Sequence, residues 1–98
     1  MNMQAMLRQA QAMQKEMLKT KEEIDKTEFV GESSLVKVTL MGTKKVKSIT
    51  INDKENLEKD DLEMLEDMLV VAFNDATNKI DAETEKKMGK FTNIPGLF

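Results

Sequence analysis

The apolar positions near the amino end fall at Met3, Met6, Ala10, Met13, Met17 and Ile24, three and four residues apart, with Thr20 filling the one gap. A helix turns once every 3.6 residues, so this spacing stacks the apolar side chains into a narrow seam along one face. Leu7 and Leu18 widen the seam, Asn2 stands where an N-cap belongs, and the intervening Gln, Ala, Lys and Glu are good helix formers. The pattern predicts a helix over residues 3–26.

After Thr27 the period drops to two. Phe29-Val30-Gly31 reads as a short strand within 28–32. A second strand, 35–41, alternates with Val36, Val38 and Leu40 on one face and Lys37 and Thr39 on the other. Gly42-Thr43 separates it from a third strand, 45–51, and reads as a hairpin turn in which Gly supplies a positive φ. Within that third strand Val46 is out of phase with Ile49 and Ile51. One face can hold all three only if an extra residue is inserted, which predicts a β-bulge near Lys47 or Ser48.

Asn52-Asp53 ends the strands, and Asp60 with Glu63 has the spacing of a capping box ahead of Leu62, Leu65, Leu69, Ala72, Phe73, Ala76 and Ile80. A second long helix is expected over 60–88. Its middle, residues 68–73, is apolar around most of the circumference, so one sheet face cannot cover it. Gly89 and Pro95-Gly96 mark its end, and 89–98 forms an apolar tail with Phe91, Ile94, Leu97 and Phe98. The expected fold class is α+β: one domain in the order α-β-β-β-α, with two long helices flanking a small three-stranded antiparallel sheet.

Lengths bear on assembly. The helices would span about 36 and 43 Å, against about 23 Å for a seven-residue strand, so both overhang the sheet. The seam methionines in the overhang would lie bare in a monomer, and Met is suited to irregular contacts. A symmetric homodimer is therefore expected, with Met6, Met13, Leu69, Phe73 and Ile80 as interface candidates. The alternative is that the two helices zip against each other within one chain.

Composition narrows the chemistry. The 98 residues contain no Cys and no His, which removes disulfides, thiol nucleophiles, imidazole bases and the usual zinc sites, so no enzyme is expected. No apolar run is long enough for a membrane span and no signal peptide opens the chain, so a soluble, cytoplasmic protein without a membrane or small-molecule partner is expected. The net charge of −3 is unevenly spread: residues 52–68 hold eight acidic side chains against two basic, while residues 28–51 hold four basic against two acidic. The acidic run does not make a calcium loop, because a loop starting at Asp53 would place Leu57 at a ligand position and has no central Gly. No metal or other cofactor is expected; Asp60, Asp61 and Glu63 simply suit the first turn of a helix.

The basic residues Arg8, Lys15 and Lys19 recur on the polar side of the first helix, and Lys79, Lys86, Lys87 and Lys90 lie toward the end of the second. Such groups either meet phosphates or form an ordinary solvated face. With a single Arg, four Phe as the only aromatics and no recognition-helix motif, any DNA contact would go mainly to the backbone.

Residues 2–14, Asn2-Met3-Gln4-Ala5-Met6-Leu7-Arg8-Gln9-Ala10-Gln11-Ala12-Met13-Gln14, resemble the opening of the YbaB/EbfC family of nucleoid-associated proteins. Val36-Lys37-Val38 with Gly42 and Val46-Lys47-Ser48-Ile49-Thr50-Ile51 resemble its strand pair. Asp61-Leu62-Glu63-Met64-Leu65-Glu66-Asp67 with Ala72-Phe73-Asn74-Asp75-Ala76 resembles its second helix. Lys87-Met88-Gly89 and Pro95-Gly96-Leu97 resemble its tail. The first loop, Gly31-Glu32-Ser33-Ser34, is poorer in Gly than is usual in the family, and no longer Gly/Pro-rich extension follows Phe98.

The resemblance implies a tweezer-like homodimer that binds double-stranded DNA with limited sequence preference through its first and last helices, in the nucleoid. By position, the implied DNA contacts are Arg8, Lys15, Lys19, Lys86, Lys87 and Lys90, with Lys79 the weakest candidate. A non-catalytic adaptor that binds another protein through the Met seam and apolar tail is the competing class.

Overall fold

The computed structural model describes residues 2–91. It contains α1 (Met3–Lys26), β1 (Glu28–Ser33), β2 (Val36–Met41), β3 (Val46–Ile51) and α2 (Leu62–Met88), with single 3-10 turns at Lys54–Asn56, Lys59–Asp61 and Gly89–Phe91. The order is the expected α-β-β-β-α. Residues 92–98, which carry Ile94, Pro95, Gly96, Leu97 and Phe98 of the expected tail, lie outside the described residues.

Helix α1 is capped at both ends by side chains. The Asn2 carboxamide oxygen accepts the Gln4 N–H at 3.0 Å, and the Thr27 hydroxyl donates to the Glu23 carbonyl at 2.7 Å. These bonds satisfy backbone groups that a helix end leaves open. At α2 the reciprocal contact lies earlier than the Asp60/Glu63 pair predicts. The Asp61 carboxylate accepts the Glu58 N–H at 2.9 Å, because the chain enters α2 through the 3-10 turn at Lys59–Asp61 and the first open N–H groups belong to that turn.

The sheet is antiparallel in the order β1-β2-β3. Thr39 lies opposite Ser48 and Leu40 opposite Val46, so Lys47 is the extra residue of a bulge. The inserted residue restores the phase: Val46, Ile49 and Ile51 oppose Leu40, Val38 and Val36 and share their face. On that face α2 packs across β1 and β2, leaving the edge strand β3 largely uncovered.

Two glycines are required by close approach of a helix backbone. A Cβ on Gly31 would stand 2.0 Å from the Ala72 carbonyl oxygen and 2.6 Å from the Ala76 nitrogen, so α2 rests directly on β1. A Cβ on Gly42 would stand 1.9 Å from the Ile24 carbonyl oxygen. This corrects the expected role of Gly42: the residue with positive φ in the β2–β3 turn is Lys44, at 73°. Gly42 instead lets the end of α1 close onto the turn, where its N–H donates to the Thr27 carbonyl at 3.0 Å.

The core is Val36, Val38 and Leu40 of β2 against Ala72, Ala76 and Ile80 of α2, with Phe29, Ile51, Leu65, Met68, Leu69 and Phe73 half-buried around it. Burying each of the larger aliphatic side chains contributes about 1.5–3 kcal/mol, which makes the small strip beneath α2 the main apolar source of stability. Phe91 is buried as well. It belongs to the protomer's interior, whereas the tail reading offers it to a partner.

Candidate nucleic-acid interface

The carboxyl half of α1 turns its apolar side toward α2. Met17 and Ile24 line a cleft of about 550 Å3 with Ile80 and Met88, which sets the two helices antiparallel. The opposite side of α1 is forced into solvent. At 100° per residue, Arg8, Lys15 and Lys19 fall within about 40° of one another and roughly opposite Met17 and Ile24. All three are exposed, and none has an ion-pair partner among the described residues. Lys26 continues this stripe. Its signal is the seven-residue step from Lys19, two helical turns, and it pairs with Glu22 at 3.0 Å. From Arg8 to Lys26 the stripe runs about 27 Å.

The second basic group meets α1 at its middle. Lys90 forms an ion pair with Glu16 at 2.7 Å, and its ammonium lies 5.1 Å from the centre of the Phe91 ring. It therefore stands next to the turn of α1 that carries Lys15 and Lys19. Lys87 pairs with Glu83 at 3.1 Å, one turn back on α2, and Lys86 is exposed with no ion-pair partner among the described residues. Lys79 is occupied by the fold: its ammonium donates to the Val30 carbonyl at 2.8 Å and meets Asp75 at 3.2 Å. Asp75 also accepts the Glu32 N–H at 3.1 Å. That backbone bond, followed by the bond from Lys79, holds the Asp75 carboxyl below its ordinary pKa. The pair fastens the flank of α2 to β1.

Charge is separated along the molecule, whose long axis measures 71 Å. The acidic segment 52–68 leads into the start of α2, while Arg8 lies on the other helix beyond the end of α2, so the two sit toward opposite ends. The cleft between α1 and α2 has a mainly apolar floor, with the pairs Lys21–Asp25 and Lys44–Asp81, each at 3.1 Å, along its rim. Among the described residues no cluster of acidic side chains is arranged to hold a metal ion, and no helix is long and apolar enough to cross a membrane.

The five interface candidates are placed differently from one another. Met6 is exposed, and Met13, Leu69 and Phe73 are half-buried. Ile80, 2% exposed, is enclosed by its own protomer because the inward face of α2 there meets β2 and α1. The largest uncovered apolar area of the body involves Val46 and Ile49 on β3, the latter 48% exposed, and Val70 on α2, 59% exposed. Val70 precedes Asp81 by three helical turns and shares its side of α2, and Asp81 reaches Lys44 in the β2–β3 turn. Val70 thus overlooks the bare face of β3. The strand period contains the signal for Val46 and Ile49; that α2 stops short of β3 is visible only in three dimensions.

Known proteins share this chain's sequence and fold. A match to the YbaB/EbfC DNA-binding family covers residues 1–95. A protein named nucleoid-associated protein from Ligilactobacillus salivarius is 43% identical over 99% of this chain and 95% of its own length. One of the same name from Streptococcus pneumoniae is 48% identical over 93% of each chain. The crystal structure of the uncharacterized protein HP0035 from Helicobacter pylori superposes with a TM-score of 0.74, at 19% identity, over 93% of this chain and 97% of that one. The unpaired basic stripe on a long helix and the α-β-β-β-α order are features of a nucleoid-associated type of protein. The chain belongs to the YbaB/EbfC DNA-binding family.

Proposed function

We propose that this protein binds double-stranded DNA in the nucleoid as a homodimer, through the phosphate backbone and with limited sequence preference, and so bridges or bends DNA in nucleoid organisation and gene regulation. The observation that carries this reading is the stripe Arg8, Lys15 and Lys19, exposed and unpaired on the side of α1 turned away from the fold. Lys86, Lys87 and Lys90 extend it from α2. Long, flexible ammonium groups without aromatic partners suit phosphate contact better than base readout.

The homodimer is supported by the bare strip of Val46, Ile49 and Val70, beside half-buried Leu69 and Phe73. A two-fold axis through such a strip covers both copies with the same surface. Met6 and Met13 lie away from it on α1, and Ile80 would back it from within. A dimer closed on the strip would carry its two α1 helices outward, each presenting a basic face.

The test is retention of a DNA duplex across a salt series, alongside mass in solution. Log affinity is expected to fall linearly with log salt, with slope about −0.9 per phosphate contacted. Lys15→Glu with Lys19→Glu is expected to abolish retention while the helical signal and the dimer mass stay unchanged. Unchanged retention in that variant would overturn the site, and no wild-type retention at about 50 mM salt would overturn the function.

A further inference from the structure

Every residue from 2 to 12 is exposed, and on this arm of α1 the apolar side formed by Met3, Met6, Leu7 and Ala10 faces solvent, with Met3 82% exposed. An open hollow of about 470 Å3 lies there, lined among the described residues by Met3, Gln4, Met6 and Leu7. Between Met3 and Gln14 the one charged side chain is Arg8, on the other side of the helix, so the apolar stripe is flanked by neutral amides. A helix of this length without tertiary contacts is marginal in water. Something apolar and uncharged is needed to hold it.

The chain supplies such a segment. The turn at Gly89–Phe91 brings the backbone onto α1, with Lys90 paired to Glu16 and Phe91 buried. Residues 92–98 follow, seven residues without a charge, including Ile94, Leu97 and Phe98. At about 3.3 Å per extended residue, Ile94 can reach about 10 Å and Leu97 about 20 Å beyond Phe91. Measured from Glu16 toward the start of α1 at about 1.5 Å per residue, those distances end near positions 9 and 3. These are the places where Met6, Leu7 and Ala10, and then Met3, present the stripe.

We propose that residues 92–98 lie along the apolar stripe of the α1 arm of the same chain, with Ile94 against Met6 and Ala10 and with Leu97 and Phe98 against Met3 and Leu7. The segment braces the arm and keeps Arg8 at a set distance from Lys15. The Met seam and the apolar tail, the two features that would otherwise invite a separate protein, then satisfy each other.

The full chain has no Cys, so Leu7→Cys with Leu97→Cys introduces its only thiols. Exposed to oxidised glutathione, the variant is expected to form a disulfide within one chain, seen as a single-chain mass two hydrogens lighter and as faster migration on a non-reducing gel. A disulfide formed only between chains would place a second copy on the stripe and overturn the proposal, as would no disulfide at all. Independently, Leu97→Asp with Phe98→Asp is expected to speed amide exchange over residues 3–12 about tenfold while the amides of β2 keep their rates. Unchanged exchange in the arm would also overturn it.

Discussion

Helix α1 is the more amphipathic of the two helices, yet it is the less buried. Its arm is exposed at every residue from 2 to 12, whereas α2 is pressed so closely on β1 that Ala72 and Ala76 leave no room for a side chain on Gly31. The contrast separates two properties that periodicity alone runs together. An apolar stripe makes a helix able to bury one face; a surface at the right distance decides whether it does. For α2 that surface is the sheet. For the α1 arm nothing among residues 2–91 provides one, and the polar face opposite is free to carry cations.

The difference can be broken most severely at Gly31. Gly31→Val is expected to cost about 3 kcal/mol or more, read from a urea titration, since the Ala72 carbonyl cannot move without shifting the whole helix. Leu40→Ala, in the fully covered part of the sheet, should cost about 2–5 kcal/mol, while Met6→Ala on the arm should change global stability by less than about 0.5 kcal/mol. A comparable loss at both positions would show that the arm is part of the cooperative core. Ile49→Glu with Val70→Glu should leave the helical signal intact and yield a monomer in a solution-mass measurement. Phe73→Glu is a poorer probe, because Phe73 also packs on the protomer's own core.

The smallest effect concerns the Asp75 fastening. The folded-state pKa of Asp75 is depressed, so its contribution is present above the ordinary carboxylate range and is lost as pH falls through the depressed value. Asp75→Asn should therefore lower the urea midpoint slightly at pH 7 and leave it unchanged at a pH where Asp75 is protonated. An equal loss at both pH values would show that the Glu32 N–H bond, not the charge, is what matters.

Much of the fold is legible in the chain. The seam from Met3 to Ile24 marks α1, the alternation of Val36, Val38 and Leu40 marks the buried strand, and the slip between Val46 and Ile49 announces the bulge at Lys47. The basic stripe is legible too, because Arg8, Lys15 and Lys19 share one helical face whatever surrounds them. Lys79 and Lys90 could not be separated in the same way. Both are lysines near the end of α2, but one is drawn to the Val30 carbonyl and the other to Glu16, and those partners are 49 and 74 residues away in sequence.

The sequence by itself determined which residues form helices and strands, which faces are apolar, and that cations line one side of α1, because these follow from local period and side-chain chemistry. Only the tertiary structure decided which apolar faces are covered. It set α2 over β1 and β2 rather than β3, made Gly42 a point of contact with α1 instead of the positive-φ residue, and enclosed Ile80 and Phe91. The reason is physical: coverage depends on how elements distant in sequence meet, and a period of 3.6 or 2 says nothing of what lies opposite.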